Sequence, residues 1–313
     1  MKIVPSLLDI PKQNNEMPGL GLTIGNFDGV HIGHRELLKK IKRDCLEKNI
    51  SFAVVTFIPH PQKILKPEME RFLISSYEQR RTILKTLGVD YLVEMKFTRD
   101  FSTLTPEQFL TNHLLCFPNL KNFYLGYDFA FGANKQGGFD QVKNICRPHG
   151  VHVEIQPKFE FNNKVVSSSL IRDCLLSGRI HEVEEILARP FHLEGLVVKG
   201  EGRGKKIGYP TANIQISSDL LVPHNGVYVT RTIYKEMVFN SVTNIGHNPT
   251  FKDSHNLHIE THLFDFDTDI YGEMLDIQFL HKIRNEIKFP SVNDLILQIK
   301  SDAEFSKDFL KLR

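Results

Sequence analysis

Near residue 187 the apolar pattern of this 313-residue chain changes period, and that change constrains the fold more than any other feature. Up to that point short apolar runs at 20–25, 51–57, 89–95, 121–126 and 151–156 alternate with helical periodicity, as where Leu37, Leu38, Ile41, Cys45 and Leu46 share one helical face. Strands alternating with helices imply an α/β unit with a doubly wound, Rossmann-like parallel sheet. Ser75 and Glu78 have capping-box spacing ahead of a helix that Gly88 would close, and Thr105, Pro106 and Gln108 open another. At "LARPFHLEG" Pro190 blocks helix continuation, and short strands with turn signals follow. They predict a mainly-β unit, a small antiparallel barrel or sandwich, closed by a helix over 291–311 with apolar residues at 295, 296 and 299. The expected domains are 1–186 and 187–313.

Composition narrows the function classes. The formal net charge is +2, from 39 basic and 37 acidic side chains, so a strongly basic nucleic-acid binder is not expected. No apolar run approaches the ~20 residues that cross a bilayer, and the first residues lack the apolar core of a secretory signal. Cys45, Cys116, Cys146 and Cys174 form no C-x-x-C pair, which argues against a zinc site or a disulfide framework. They read as small buried hydrophobes in a cytoplasmic protein.

"GNFDGVHIGH" (25–34) stands at the expected strand-to-helix turn. In a doubly wound sheet that edge binds ligands, and a helix N-terminus offers N–H groups and a positive dipole end to phosphate. Gly25, Gly29 and Gly33 would let backbone approach a ligand, and His31 and His34 could donate to phosphate oxygens without a metal. The plain alternative is a glycine-rich turn with two solvated histidines. The stretch resembles the G-x-F-D-x-x-H-x-G-H signature of the nucleotidyltransferase superfamily, and in its longer form the FAD synthetase branch. "TFIPHP" (56–61), "LGYDFAFG" (125–132) and "VSSSLIRDCL" (166–175) resemble further segments of that branch in order, with Ile58 replacing an acidic residue and Ser169 a threonine. The resemblance implies ATP binding by Gly25, Asn26, Phe27, Asp28, His31, Gly33, His34, Ser168, Ser169 and Arg172. It implies FMN binding by His60, Pro61, Asp128, Phe129 and Phe131. Arg172 falls within the first turn of its expected helix, an unfavourable place for a cation unless an anion shares the site.

In the second half "KGEGRGKKIGYPTANI" (199–214) is a basic, glycine-rich loop. Its spacing fits neither a P-loop nor a dinucleotide fingerprint. It resembles the G-x-P-T-A-N signature of riboflavin kinases, and "GVYVT", "NIGHNPTF", "IETHLFDF" and "IYGEMLDIQFLHKIRNEIKFPS" follow in that family's order. The resemblance implies ATP binding by Gly200, Gly202, Gly204, Lys205, Gly208, Pro210, Thr211 and Asn213. It implies Mg²⁺ on Thr211 and Asn213, and riboflavin contacts from Glu260 and Arg284. Glu260 lies mid-strand, with Ile259, Thr261 and Leu263 on the opposite face, and the resemblance makes it the general base. Together these matches imply a bifunctional riboflavin kinase/FAD synthetase. ATP, riboflavin, FMN and FAD would be its substrates and products. A different adenylyl transferase would leave P-T-A-N and Glu260 without a role. A catalytically dead flavin-binding regulator would not need both histidines and Glu260.

Overall fold

The computed structural model describes residues 1–11, 19–127, 138–161, 164–200, 202, 204, 207–247 and 257–313. The chain forms two compact units, Met1–Glu70 with Ser75–Ser167, and Arg71–Ile74 with Ser168–Arg313.

In the first unit β1 (Lys2–Val4), β2 (Leu20–Ile24), β3 (Ser51–Ile58), β4 (Tyr91–Lys96), β5 (Leu120–Leu125) and β6 (His152–Ile155) form one parallel sheet. Their spatial order is β1-β4-β3-β2-β5-β6. The chain steps outward from β2 through β3 to β4, then returns to add β5 on the other side of β2. The order therefore reverses between β2 and β5, the switch point at which such sheets bind ligands. Helices α1 (Ile32–Glu47), α2 (Pro61–Leu65), α3 (Tyr77–Thr86), α4 (Pro106–Phe109) and α5 (Phe139–Cys146) connect the strands, with a two-stranded ribbon of β7 (Glu160–Phe161) and β8 (Lys164–Val165) near the unit's end. The strands are apolar on both sides because both faces are covered. Phe52, Val54, Leu92 and Tyr124 pack with Leu38, Ile41 and Cys45 of α1, while Leu22, Ala53, Val55, Val93 and Phe123 pack on the other face.

Capping differs from expectation by one residue. Ser76 and Gln79, not Ser75 and Glu78, form the capping box of α3. Ser75 is thereby left for another contact described below. Thr105 and Gln108 do form a capping box, with Pro106 at the start of α4. Cys116 is exposed, whereas the other three cysteines are buried as expected.

The second unit contains α6 (Ser168–Leu176), α7 (Ile180–Leu187), β9 (Phe191–Val198), β10 (Ala212–Gln215), β11 (Gly226–Tyr234), β12 (Met237–His247), β13 (Leu257–Leu263), β14 (Met274–Arg284) and α8 (Val292–Lys311). Its six strands close as an antiparallel barrel in the order β10-β13-β12-β11-β14-β9, so the barrel alternative is the one realised. Inward residues alternate with outward ones, as where Ile259, Thr261 and Leu263 are buried and Glu260 is half-exposed. Part of the interior is polar. Thr230 Oγ1 lies 2.7 Å from Ser241 and 2.8 Å from Thr243, and Thr243 lies 3.0 Å from Thr261. These buried hydroxyls satisfy one another, which removes the penalty of burying them. Helix α8 buries Ala303, Ser306 and Leu310, so its packing face lies further along than residues 295, 296 and 299, which are only half-buried.

Candidate functional site

The turn after β2 departs from regular backbone at three of four successive residues. Phe27, Gly29 and Val30 have φ of 48°, 80° and 40°. Glycine adopts this region freely, but phenylalanine and β-branched valine do so only when their surroundings impose it. Gly29 donates its N–H to Ser75 Oγ at 3.2 Å, and Ser75 N–H reaches Asp28 Oδ1 at 3.3 Å. Asn26 O accepts from Arg80 Nη1 at 2.9 Å and from Thr56 Oγ1 at 3.4 Å. Strand β3 and the start of α3 thus hold the turn from below.

The two histidines do different work within it. His31 is the N-cap of α1, its Nδ1 accepting the His34 N–H at 3.2 Å. An accepting Nδ1 carries no proton, so the neutral His31 ring bears its N–H on Nε2. The His34 ring stacks on it, with centroids 3.6 Å apart, and Phe27 meets His34 edge-on at 5.0 Å. Burial, with a smaller contribution from the adjacent His31, pushes the His34 pKa well below 6.5, so His34 is neutral at physiological pH. His31 is not solvated in the manner of the plain alternative, while His34 is half-buried. His31 is 6% exposed and His34 Nδ1 is enclosed without a hydrogen-bond partner among the described residues.

That orphaned atom is one of a group. Thr23 Oγ1, Asn26 Oδ1, His34 Nδ1, Gln79 Nε2, and Nε and Nη2 of Arg80 are six of the nine buried polar side-chain atoms with no partner among the described residues. All six belong to the end of β2, the turn after it, the first turn of α1, or the start of α3. Orphaned buried polar groups are rare, and their concentration marks a place that awaits polar partners. The residues after β3 and β5 border the same sheet edge. His60 is buried and caps α2 by accepting the Gln62 N–H at 3.2 Å, with Pro61 at the first helical position. Its own backbone N–H donates to Tyr77 Oη at 2.8 Å. Asp128, Phe129 and Phe131 follow β5 in sequence and lie outside the described residues.

Ser168, Ser169 and Arg172 fall in the second compact unit, on α6. Arg172 is the fifth residue of that helix and so begins its second turn, which removes the expected conflict with the dipole. Its Nε donates to Phe72 O at 3.0 Å and its guanidinium lies 3.7 Å from the Phe72 ring centroid.

On the barrel, Glu260 of β13 pairs in register with Asn213 of β10 on one side and Asn244 of β12 on the other. Thr211 Oγ1 donates to Glu260 Oε2 across 3.5 Å, a long contact. The Pro-Thr-Ala-Asn segment thus runs along the face of β13 that carries Glu260, and Pro210 O lies 2.7 Å from His262 Nδ1. A Cβ at Gly200 would come within 2.1 Å of Asn213 Nδ2, so a larger residue there would displace the Asn213 side chain. Gly202 and Gly208 have φ of 67° and 86°, and Gly204 also approaches Thr211; Lys205 lies outside the described residues. Sequence reasoning missed His258, two residues before Glu260 on the same face, whose Nε2 is buried without a partner among the described residues.

Arg284 is occupied. Its Nε and Nη2 bind the Asp302 carboxylate at 2.7–3.1 Å and its Nη1 donates to Asn285 O at 3.1 Å, which ties β14 to α8. Thr211 and Asn213 supply the uncharged oxygens suited to a hard cation beside a carboxylate. His192, Glu194 and Asp276 also gather ligand atoms within 4.8 Å of one another on β9 and β14. There His192 Nδ1 and Asp276 Oδ1, 2.8 Å apart, already form an ion pair or hydrogen bond.

A Rossmann-like sheet with donors at its switch point, and a closed barrel bearing a carboxylate beside Thr and Asn, define a nucleotide-handling protein with two separate sites. The comparisons with known proteins agree. Residues 13–170 match the FAD synthetase family and residues 187–310 the riboflavin kinase family. A bifunctional riboflavin kinase/FMN adenylyltransferase of Haemophilus influenzae is 35% identical over 95% of this chain and 96% of its own. One of Bacillus subtilis is 33% identical over 90% of each chain. A solved Streptococcus pneumoniae structure, described as a macrolide-efflux protein, is 31% identical with a TM-score of 0.85, covering 97% of this chain and 98% of that one. Among the described residues of this chain no helix is long and apolar enough to cross a membrane. The chain belongs to the bifunctional riboflavin kinase/FMN adenylyltransferase family.

Proposed function

We propose that this chain converts riboflavin and ATP to FMN and ADP on its barrel, and FMN and ATP to FAD and pyrophosphate on its parallel-sheet unit. The observation that carries this reading is the pair of family matches in one chain, FAD synthetase first and riboflavin kinase second. We take the functional boundary at 186/187; a riboflavin kinase match that begins at 187 supports it, although α6 and α7 group with the barrel. The substrates are small molecules, the chain works in the cytoplasm, and neither nucleic acid nor membrane takes part.

In the kinase reaction Glu260 takes the proton of the ribityl hydroxyl as that oxygen attacks the γ-phosphorus of ATP. Gly200, Gly202, Gly204, Lys205, Gly208 and Pro210 form the loop over the phosphates, which excludes water. Thr211 and Asn213 would hold Mg²⁺, whose charge offsets that of the phosphates; the Thr211 oxygen beside Glu260 supports this assignment. Arg284 is assigned with Glu260 to riboflavin, and its bond to Asp302 also ties β14 to α8.

In the adenylyl transfer the FMN phosphate attacks the α-phosphorus of ATP and pyrophosphate leaves. The nucleophile is already anionic, so no base is required. Placement and charge stabilisation do the work. His31 donates from Nε2–H, and the turn from Gly25 to His34, with Asn26, Phe27, Asp28 and Gly33, receives ATP. Ser168, Ser169 and Arg172 are assigned to the departing pyrophosphate. His60, Pro61, Asp128, Phe129 and Phe131 position FMN. Incubating the purified chain with riboflavin, ATP and Mg²⁺ and separating the flavins by chromatography tests the whole reading. FMN and then FAD should accumulate, and the absence of either refutes the corresponding half.

A further inference from the structure

Arg80 is 2% exposed and lies outside every motif that the sequence presents. A fully buried arginine needs an explanation, because an apolar side chain of similar length would fill the same space without desolvating a charge. An ion pair does not supply one. Glu94 is 3.9 Å from Arg80 Nη2 and is already gripped by Arg81 through Nε at 2.9 Å and Nη2 at 2.6 Å. Nε and Nη2 of Arg80 have no hydrogen-bond acceptor among the described residues. The remaining donor, Nη1, is engaged at 2.9 Å by Asn26 O. Asn26 is the residue from which the chain enters the left-handed conformations at Phe27, Gly29 and Val30. Three residues later, Ser75 receives the Gly29 N–H.

We propose that Arg80 is a positioning residue for adenylyl transfer: its Nη1 hydrogen bond to Asn26 O, with Ser75 as the second anchor, holds the strained 26–30 turn in the shape that presents His31 to the nucleotide phosphates. Without these anchors the turn relaxes toward ordinary backbone angles, and the N-cap geometry that fixes His31 moves with it. A buried charge with idle donors is then tolerated for the sake of the turn, not for the stability of the sheet. The inference rests on the reading of this turn as the ATP site of FAD formation.

The test uses the full chain and its own second activity as an internal control. R80M removes the donors and the charge but keeps most of the volume, R80K keeps the charge and a donor group at the end of a flexible stem, and Ser75→Ala removes the second anchor. Misplacing a catalytic group by about 1 Å can lower a rate on the order of 10²-fold. R80M should therefore lose FAD formation on the order of 10²-fold, mainly in kcat, with the KM for FMN near wild type. Its riboflavin phosphorylation should be unchanged and its melting temperature equal to or above wild type. R80K should recover much of the loss, and Ser75→Ala should lose less than R80M. Undiminished FAD formation in R80M overturns the inference. So does a lowered melting temperature accompanied by equal loss of both activities, which is what a purely structural arginine would give. If wild-type chain makes FMN but no FAD, the adenylyl-transfer reading fails first, and that result appears before any variant is made.

Discussion

The turn after β2 and the outer face of β13, the two sites we propose for phosphate chemistry, are built differently. The turn gathers uncharged donors, a capping imidazole and a stacked neutral partner, on strained backbone held from below. The barrel face sets a carboxylate between two register-fixed asparagines, on regular strands that need no strain. An anionic nucleophile needs alignment and donors, whereas a hydroxyl nucleophile needs a proton acceptor. The contrast teaches that backbone irregularity collects where N–H groups and rings must be aimed. A single ionisable side chain can be delivered by an ordinary strand.

The largest break in this comparison is expected at Glu260. E260Q keeps the shape and removes proton acceptance, so riboflavin phosphorylation should fall by ~10²–10⁴ in kcat, with FAD formation from supplied FMN intact. Steady-state kinetics of both reactions on one preparation decides it. A near-wild-type kcat would return Glu260 to a surface charge.

His31→Ala should have the reciprocal effect, a loss of ~10²–10³ in FAD formation with FMN formation near normal. Chromatography of the accumulated flavins reads this directly, since FMN should build up. Loss of both products would show that the two sites are not independent.

Arg284→Met should act on stability more than on chemistry. Asp302 is buried beneath the pair, and leaving such a carboxylate unpaired costs about 3–5 kcal/mol, reduced here by its remaining bond from Gln298 at 2.9 Å. Thermal unfolding should shift down while the KM for riboflavin moves little. A large change in KM with an unchanged melting temperature would instead make Arg284 a direct flavin contact.

The smallest effect is in pH dependence. Folding holds the His34 pKa below its ordinary 6.5, so at acid pH the unfolded chain takes up a proton that the folded chain refuses. Stability is therefore complete above about 6.5 and declines as pH falls below it. His113 and His281 are shifted in the same direction by burial, so the comparison must be with a variant. From about pH 7.5 to about pH 5, wild type should lose more melting temperature than His34→Gln. Equal losses would show that His34 is not the titrating group.

Much of both sites was legible in the sequence because motif and local structure coincide. "GNFDGVHIGH" does run from the end of β2 into the first turn of α1, and "PTAN" does run into β10. Other residues were not legible, for identifiable reasons. Ser75 and Ser76 are adjacent serines before a helix, and only the capping geometry shows that the second caps α3 while the first grips Gly29. Arg80 sits in a helix with ordinary spacing and charge, and nothing local distinguishes it from the half-exposed Arg81 beside it. Nothing local to Arg284 shows its bonds to Asp302, eighteen residues on.

The sequence by itself determined the two architectures, because the period of buried apolar residues selects helix or strand directly and their alternation selects a parallel sheet. It also determined the residue types at each site, since proton acceptance, phosphate donation and close backbone approach each call for particular side chains. Tertiary structure alone decided the closure of the barrel and the pairing of Glu260 with Asn213 and Thr211. It alone set Arg80 beneath Asn26, fifty-four residues earlier in the chain. Those are contacts between distant segments, fixed by register, packing and burial, and local propensity carries no record of them.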